Sequence, residues 1–325
     1  MQNQFDNKRI VIFGGSGSWG TELIAQLLKT KTKKIISFAR NEYRQISLKR
    51  KFNNSRLKII IGDIRDYEAV DEACKKVDII FLLAAIKHIP LAEEFPHECI
   101  KTNINGVKNV VKASIINEVK RVIDVSSDKA CAPTNVYGAT KMIGERLILH
   151  GNSYNSKTEF QCIRGGNAIG SSGSVIPLFI DQIKKNNKIT LTDKRMTRYF
   201  ITLPEAIQLL FTAIKSNIIN ATYIINMPAC KIIDLAEVLI EYYGNKNTKI
   251  KTIGIRTGEK LHELLISKTE ALNSYIYGKK YYFICPSKKD DLNLPKVTFK
   301  EYNSSTNLMN KDQIKELLDK GGFLR

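Results

Sequence analysis

The chain has 325 residues, 43% of them hydrophobic and 26% charged, a size and mixture that suit one large globular core with a smaller appendage. Its formal charge is +19, from 51 Lys and Arg against 32 Asp and Glu, but the cations are dispersed and no aromatic residues interleave with them, which argues for solvated faces and against a nucleic-acid platform. No apolar run nears the roughly 20 residues that span a bilayer, and the start, Met1 to Lys8, has no signal-peptide core, so a cytoplasmic protein without membrane insertion is expected.

The six cysteines (Cys74, Cys99, Cys131, Cys162, Cys230, Cys285) are scattered, with no C-x-x-C pair and no close histidine partner. They read as reduced, mostly buried thiols, with neither a disulfide framework nor a zinc site.

Lys8-Arg-Ile-Val-Ile-Phe13 predicts a strand that runs into Gly14-Gly15-Ser16-Gly17-Ser18-Trp19-Gly20, and Thr21 to Lys29 has the apolar spacing of a helix. Glycines between strand and helix permit a tight turn and close approach of a pyrophosphate, which the helix N-terminus receives with its amides. A dinucleotide site is expected here, at Gly14, Ser16, Gly17, Ser18, Trp19 and Gly20. Lys34 to Ala39 is a second strand, and Arg40-Asn41 follows it where an acid would hold a free ribose diol. An arginine suits a 2′-phosphate, so NADP is favoured, with nearby Glu42 keeping NAD open.

Leu57 to Ile61 is a third strand, and Asp63 and Ile64 after it are placed to meet the adenine. Val77 to Leu83 is a fourth, ending in Leu83, Ala84 and Ala85 beside the same cofactor. Helical segments such as Asp66 to Lys76 separate the strands, and repeated β-α units require a parallel, doubly wound sheet with ligands at the carboxyl ends of its strands. The expectation is an α/β fold: a Rossmann domain over 1–165 and a smaller substrate-binding α/β region over 166–325, part of which crosses back to the sheet.

Lys87 stands at a strand end where a cation can meet substrate, His88 reads as a packed loop histidine, and a long helix is predicted from about His97 to Glu118. Arg121 to Val125 is a fifth strand that delivers Ser126-Ser127-Asp128-Lys129, and then Tyr137-Gly-Ala-Thr-Lys141. Tyr137 and Lys141 share one face of a helix predicted over Val136 to His150. An ammonium beside a phenol lowers the tyrosine pKa towards neutrality, as a base for a hydroxyl proton requires. Alone, Tyr-x-x-x-Lys is usually helix surface and an Asp-Lys dipeptide a solvated loop. The placement of Asp128-Lys129 directly after a strand and just before Tyr137 favours catalysis.

Phe160 to Arg164 is a further strand, ending in Gly165-Gly166-Asn167, and Gly170 to Ser174 is a loop before the apolar segment Val175 to Ile183. Thr202-Leu-Pro-Glu205 has a capping-box pattern with proline in the first helical turn. Two basic loops, Thr192 to Arg198 and Ile253 to Lys260, suit a diphosphate-linked substrate. Asn303 to Asn310 is polar, and Lys311 to Lys320 is a last helix.

Taken together, the Gly14–Gly20 turn, Tyr137-x-x-x-Lys141 and the basic loops resemble the extended short-chain dehydrogenase/reductase superfamily. The closer resemblance is to the inverting UDP-N-acetylglucosamine 4,6-dehydratases that make sugar precursors for surface glycans. It runs over nearly the whole chain and is carried by Ala85-Ile-Lys-His-Ile-Pro90, Cys99-Ile-Lys-Thr-Asn-Ile104, Ser127-Asp-Lys-Ala130, Asn135-Val-Tyr-Gly-Ala-Thr-Lys141, Asp193-Lys-Arg-Met-Thr-Arg198 and Gly258-Glu-Lys-Leu-His-Glu263.

The resemblance implies that Ser127, Asp128, Lys129, Tyr137 and Lys141 are catalytic, Lys129 as a neutral base and Asp128 as a protonated acid, with NADP recycled and no metal. It assigns a UDP-N-acetylhexosamine to Lys87, Asn167, Arg198, Arg256 and Glu259, and implies a homo-oligomer paired through the helices at His97–Glu118 and Val136–His150. Three positions depart from the family's pattern: Ser127 replaces a threonine, Gly165 a tyrosine and Ser172 an arginine. A C5-retaining dehydratase and a UDP-hexose 4-epimerase are the alternatives within the fold. A non-catalytic NADP-sensing or nucleic-acid-binding module is the alternative of another class.

Overall fold

The apolar runs pair into one large sheet. In the computed structural model, which describes residues 3–154, 156–171, 173–286 and 293–324, six strands run parallel: β1 (Arg9–Phe13), β2 (Lys34–Ala39), β3 (Leu57–Ile61), β4 (Ile79–Leu82), β5 (Arg121–Ser127) and β6 (Glu159–Gly165). Their spatial order is β3-β2-β1-β4-β5-β6, the doubly wound arrangement the β-α alternation predicts. Strand Thr222–Ile225 continues the sheet in parallel beside β6, and Tyr281–Ile284 and Ser274–Tyr277 close that edge antiparallel.

Both faces of the sheet are covered, which is why its central strands read as continuous apolar runs rather than alternating ones. Ile10 and Ile12 of β1 pack with Leu23, Ile24 and Leu27 of α1 (Ser18–Leu28), Leu48 of α2 (Glu42–Phe52) and the helix Leu203–Lys215. Val11 and Phe13 point the other way, to Val70 of α3 (Tyr67–Cys74) and beyond it to Val107 and Val110. All six cysteines are buried and unbridged. Among the described residues no helix is long and apolar enough to cross a membrane, and no group of three potential metal ligands occurs.

The predicted helix at His97 to Glu118 is not uniform. Beyond α4 (Ile89–Glu94), α5 (Pro96–Ile100) passes into a π-helical turn at Lys101–Asn105 before α6 (Gly106–Ile116) resumes. In that wider turn Asn103 clamps the loop after β4, its amide bonding Ile86 N and O at 2.9 Å each, and reaches Thr140 at 3.1 Å on α7 (Val136–His150). Such π turns occur mostly as single-turn insertions within α-helices, frequently at functional sites. β5 also outlasts its predicted end: Ser126 and Ser127 remain in the strand, and Asp128–Ala130 forms a single 3-10 turn.

Beyond β6, helices Val175–Asn186, Ile232–Tyr243 and Lys311–Lys320 build a separate apolar cluster around Ile176, Phe179, Leu235, Leu239, Ile314 and Leu318. A three-stranded sheet in the order Ala229–Lys231, Thr197–Ile201, Asn167–Ala168 links this cluster to the end of β6. Thr202 and Glu205 cap Leu203–Lys215 reciprocally, as their spacing predicts. Ser172 lies outside the described residues.

Candidate active site

The carboxyl ends of the parallel strands open on a cleft of about 560 Å³. Its first half is built by the turn after β1. Gly14 has φ +85°, and a Cβ there would sit 2.8 Å from Ala84 N, so only glycine lets β1 and the end of β4 approach this closely. A Cβ on Gly20 would lie 2.4 Å from Gly15 O, which is how α1 packs directly onto the turn. Gly17 is the N-cap of α1 and no side chain caps that terminus. A tight backbone cradle opening a helix toward a cleft fits a dinucleotide pyrophosphate.

Gly14, Ser16, Gly17, Ser18, Trp19, Gly20, Arg40, Asn41, Ile64, Leu83, Ala84 and Ala85 all line this half. Arg44 lines it as well, so two guanidinium groups stand beyond β2. Asn41 also caps α2, accepting from Arg44 N at 2.9 Å. Asp63 is not on the cleft wall: its carboxylate accepts from Arg65 at 2.8 and 2.6 Å, with Arg40 3.6 Å away. Burial opposes its ionisation, but the hydrogen bonds from Arg65 hold it below the usual carboxylate range.

The second half is set by the meeting of β5 and α7. Asn135 caps α7 by accepting from Gly138 N at 2.8 Å, and a Cβ on Gly138 would lie 2.3 Å from Lys129 O, so the helix starts flush against the Asp128–Ala130 turn. Ser127, Asp128, Lys129 and Tyr137 line the cleft together. Asp128 Oδ1 accepts from the Ser127 hydroxyl at 2.8 Å and from Lys129 Nζ at 2.8 Å, while its Oδ2 is buried without a partner among the described residues. Lys129 Nζ is also 3.5 Å from Glu263 Oε1, and Glu263 Oε2 is likewise buried without a partner.

The geometry bears on the protonation of Lys129 and of Tyr137. Burial alone would make Lys129 a neutral amine, but the adjacent Asp128 and Glu263 carboxylates outweigh it and raise its pKa, so the resting residue is an ammonium. Burial likewise raises the Tyr137 phenol, and the opposing pull of Lys141 and of the hydrogen bond with Ser127 does not reverse it. Beneath Tyr137, Lys141 Nζ bonds both oxygens of buried Asp124, at 3.2 and 3.1 Å. The phenol thus faces an ion pair, not a bare cation.

Lys87 and Asn167 line the cleft, and burial together with repulsion from Arg44 pulls the Lys87 ammonium down. His88 lines it too, with its ring beside Gly173. Arg198 sits behind Lys129: its Nε is 3.5 Å from Glu263 Oε1, and its other nitrogens donate to the carbonyls of Thr197, Leu261 and Lys260. Arg256 and Glu259 belong to a loop whose Gly258 carbonyl accepts from Thr134 at 3.0 Å and Asn135 at 2.8 Å. That tether brings the loop to the start of α7 without placing either side chain on the cleft wall. Sequence reasoning missed Glu263, Asp124 and Asn103 as parts of this constellation. The only signal was that Glu263 and Asn103 fall within stretches that carry the family resemblance.

Residues 10–285 match the family described as "Polysaccharide biosynthesis protein". The chain is 40% identical over 289 residues to a UDP-N-acetylglucosamine 4,6-dehydratase (inverting) of Campylobacter jejuni, covering 88% of this chain and 85% of that one. It is 37% identical over 330 residues to a UDP-glucose 4-epimerase of Rickettsia bellii, covering 97% and 96%. The X-ray structure of Pen from Bacillus thuringiensis superposes with a TM-score of 0.93 at 38% identity, over 99% of each chain.

Proposed function

The chain belongs to the polysaccharide biosynthesis protein family, of the extended short-chain dehydrogenase/reductase type, and on that premise we propose that it is an NADP-dependent, C5-inverting UDP-N-acetylglucosamine 4,6-dehydratase. The observation that carries the reading is the 2.8 Å hydrogen bond between Lys129 and Asp128, at the end of β5 beside Tyr137. Dehydration across C5 and C6 needs a base for the C5 proton and an acid for the departing 6-hydroxyl. Transfer of one proton from the Lys129 ammonium to the Asp128 carboxylate yields both, a neutral amine and a carboxylic acid, with no change in net charge. In a buried pair that neutral form is accessible once substrate has displaced water.

Tyr137, in its ionised form, takes the proton of the sugar's 4-hydroxyl, which Ser127 orients. A nicotinamide cofactor held by the Gly14–Gly20 turn and the ends of β2 and β4 would supply reversible hydride transfer, out of C4 and back into C6, so no second substrate would be consumed. The 4-ketone acidifies C5, Lys129 removes that proton and Asp128 protonates the 6-hydroxyl as it leaves as water. A proton added to the opposite face of C5 inverts it; in the balance it is the one Tyr137 took from the 4-hydroxyl, which leaves Tyr137, Lys129 and Asp128 in their starting forms. Arg40 and Arg44 beyond β2 support NADP over NAD. Lys87 and Asn167 on the cleft wall support a nucleotide sugar there, with Arg198, Arg256 and Glu259 completing its site.

The second reading, a 4-epimerase, has the Rickettsia relative in its favour. It needs Tyr137 and Lys141 but no acid-base pair for elimination. Turnover of UDP-N-acetylglucosamine followed by alkali separates the two: the dehydratase product absorbs as a 4-keto sugar, and an epimerised product does not.

A further inference from the structure

Asp124 lies in the middle of β5, wholly excluded from solvent. A carboxylate in the interior of a central parallel strand is costly unless paired, because desolvating a lone charge costs several kcal/mol. Its partner is Lys141, whose Nζ bonds both carboxylate oxygens. Lys141 in turn stands one helical turn beyond Tyr137 and acts on the phenol through space.

Other titratable groups have partners of their own and also act on this trio: Glu145 pushes Asp124 up, while Lys129 lowers and Asp128 raises Tyr137. On α7 itself, Glu145 is held by Arg164 of β6 at 2.9 and 2.8 Å, and Arg164 also binds Glu270. Cys162 of β6 is buried, which raises its pKa and keeps it a thiol. From α5, Cys99 shares a 3.4 Å contact with Thr140, and from α4, Glu93 accepts from Val136 N. Asp128 and Lys129, past the strand end, are bonded to each other. Among the described residues Asp124 is the carboxylate that Lys141 contacts directly.

We propose that Asp124 is a positioning residue that sets the acidity of Tyr137 through Lys141, anchoring the ammonium and cancelling part of its field at the phenol. Burial raises Asp124 above the usual carboxylate range against the pull of Lys141, while Asp124 raises Lys141 against burial. The inference holds for any first step in which Tyr137 takes a proton, so it stands apart from the choice between dehydration and epimerisation.

The test is Asp124→Asn, which keeps the shape and removes the charge. Two quantities are read: the tyrosinate difference absorbance of Tyr137, obtained by subtracting a Tyr137→Phe background, and the pH profile of kcat. The expected result is a displacement of the tyrosinate midpoint and of the acid limb by about one pH unit or more: downward where Lys141 keeps its proton and acts unopposed, upward where burial strips the unanchored ammonium of it. A lower melting temperature with an unmoved midpoint would make Asp124 structural only and overturn the proposal. Should the variant not fold, carbon-13 labelling of aspartate carboxyls in the wild-type protein decides: Asp124 must be ionised at the pH of maximal activity, and a protonated carboxyl there overturns the proposal.

Discussion

Glu263 Oε1 lies 3.5 Å from Lys129 Nζ and 3.5 Å from Arg198 Nε, so one buried carboxylate joins the proposed C5 base to a guanidinium. Lys129 thereby has two anionic neighbours that favour its ammonium form. Removing the Glu263 charge makes the neutral amine easier to reach. In Glu263→Gln the acid limb of C5 proton exchange should move to lower pH, by about one unit. An unmoved limb in a folded variant would remove Glu263 from the proton balance of Lys129.

Arg40 is half exposed and makes its nearest ionic contact with Asp63 at 3.6 Å. If it receives a 2′-phosphate, Arg40→Ala should weaken NADPH by about tenfold while leaving NADH nearly unchanged, a value discounted from a buried charged hydrogen bond because water screens the site. Fluorescence titration with each dinucleotide measures this, and equal losses for both would argue against a role in discrimination.

Gly165 faces Trp19, whose Cη2 would be 3.0 Å from a Cβ on residue 165. Gly165→Tyr should therefore cost about 1–3 kcal/mol of stability through overpacking and disturb cofactor binding. Trp19→Ala in the same chain should recover much of both. Calorimetry and dinucleotide titration of the single and double variants check the coupling, and additive effects would show that the two positions do not share the space.

Glu270 is a stability element outside the cleft. Burial raises its pKa, but hydrogen bonds and charge from Arg164, with help from Ser267, pull it from 4.5 down to about 2. A carboxylate depressed on folding contributes stability above its unfolded pKa and loses it as pH falls through the folded value. Glu270→Gln should therefore lose about 3 kcal/mol at neutral pH, and its acid loss between about pH 4.5 and 2 should flatten relative to wild type. Urea melts across that window test this; parallel curves for the two proteins would contradict it.

The parts of the site that were legible in the sequence are local. The Gly14–Gly20 turn is read from residues adjacent in the chain, and Tyr137 and Lys141 from one helical repeat. Arg121 to Val125 was read as a strand from its apolar residues, and that reading passed over Asp124, because periodicity says nothing about a charge whose partner is on another element. Glu263 was opaque for a related reason: it reaches Lys129 from a distant segment held in place by Ser304, whose hydroxyl accepts from Glu263 N at 2.9 Å. The π turn at Lys101–Asn105 buries Thr102 and Asn103, polar residues that apolar spacing does not register. Protonation was the hardest to foresee, since Tyr137 and Lys129 respond to carboxylates that only folding brings near.

The most direct test of the proposed dehydratase is proton NMR of the purified protein with UDP-N-acetylglucosamine in deuterated water, without added reductant, for wild type and Lys129→Ala. The account predicts a 6-deoxy-4-keto product carrying deuterium at an inverted C5 from wild type, and none from the variant. Formation of UDP-N-acetylgalactosamine with no deuterium at C5 would contradict it.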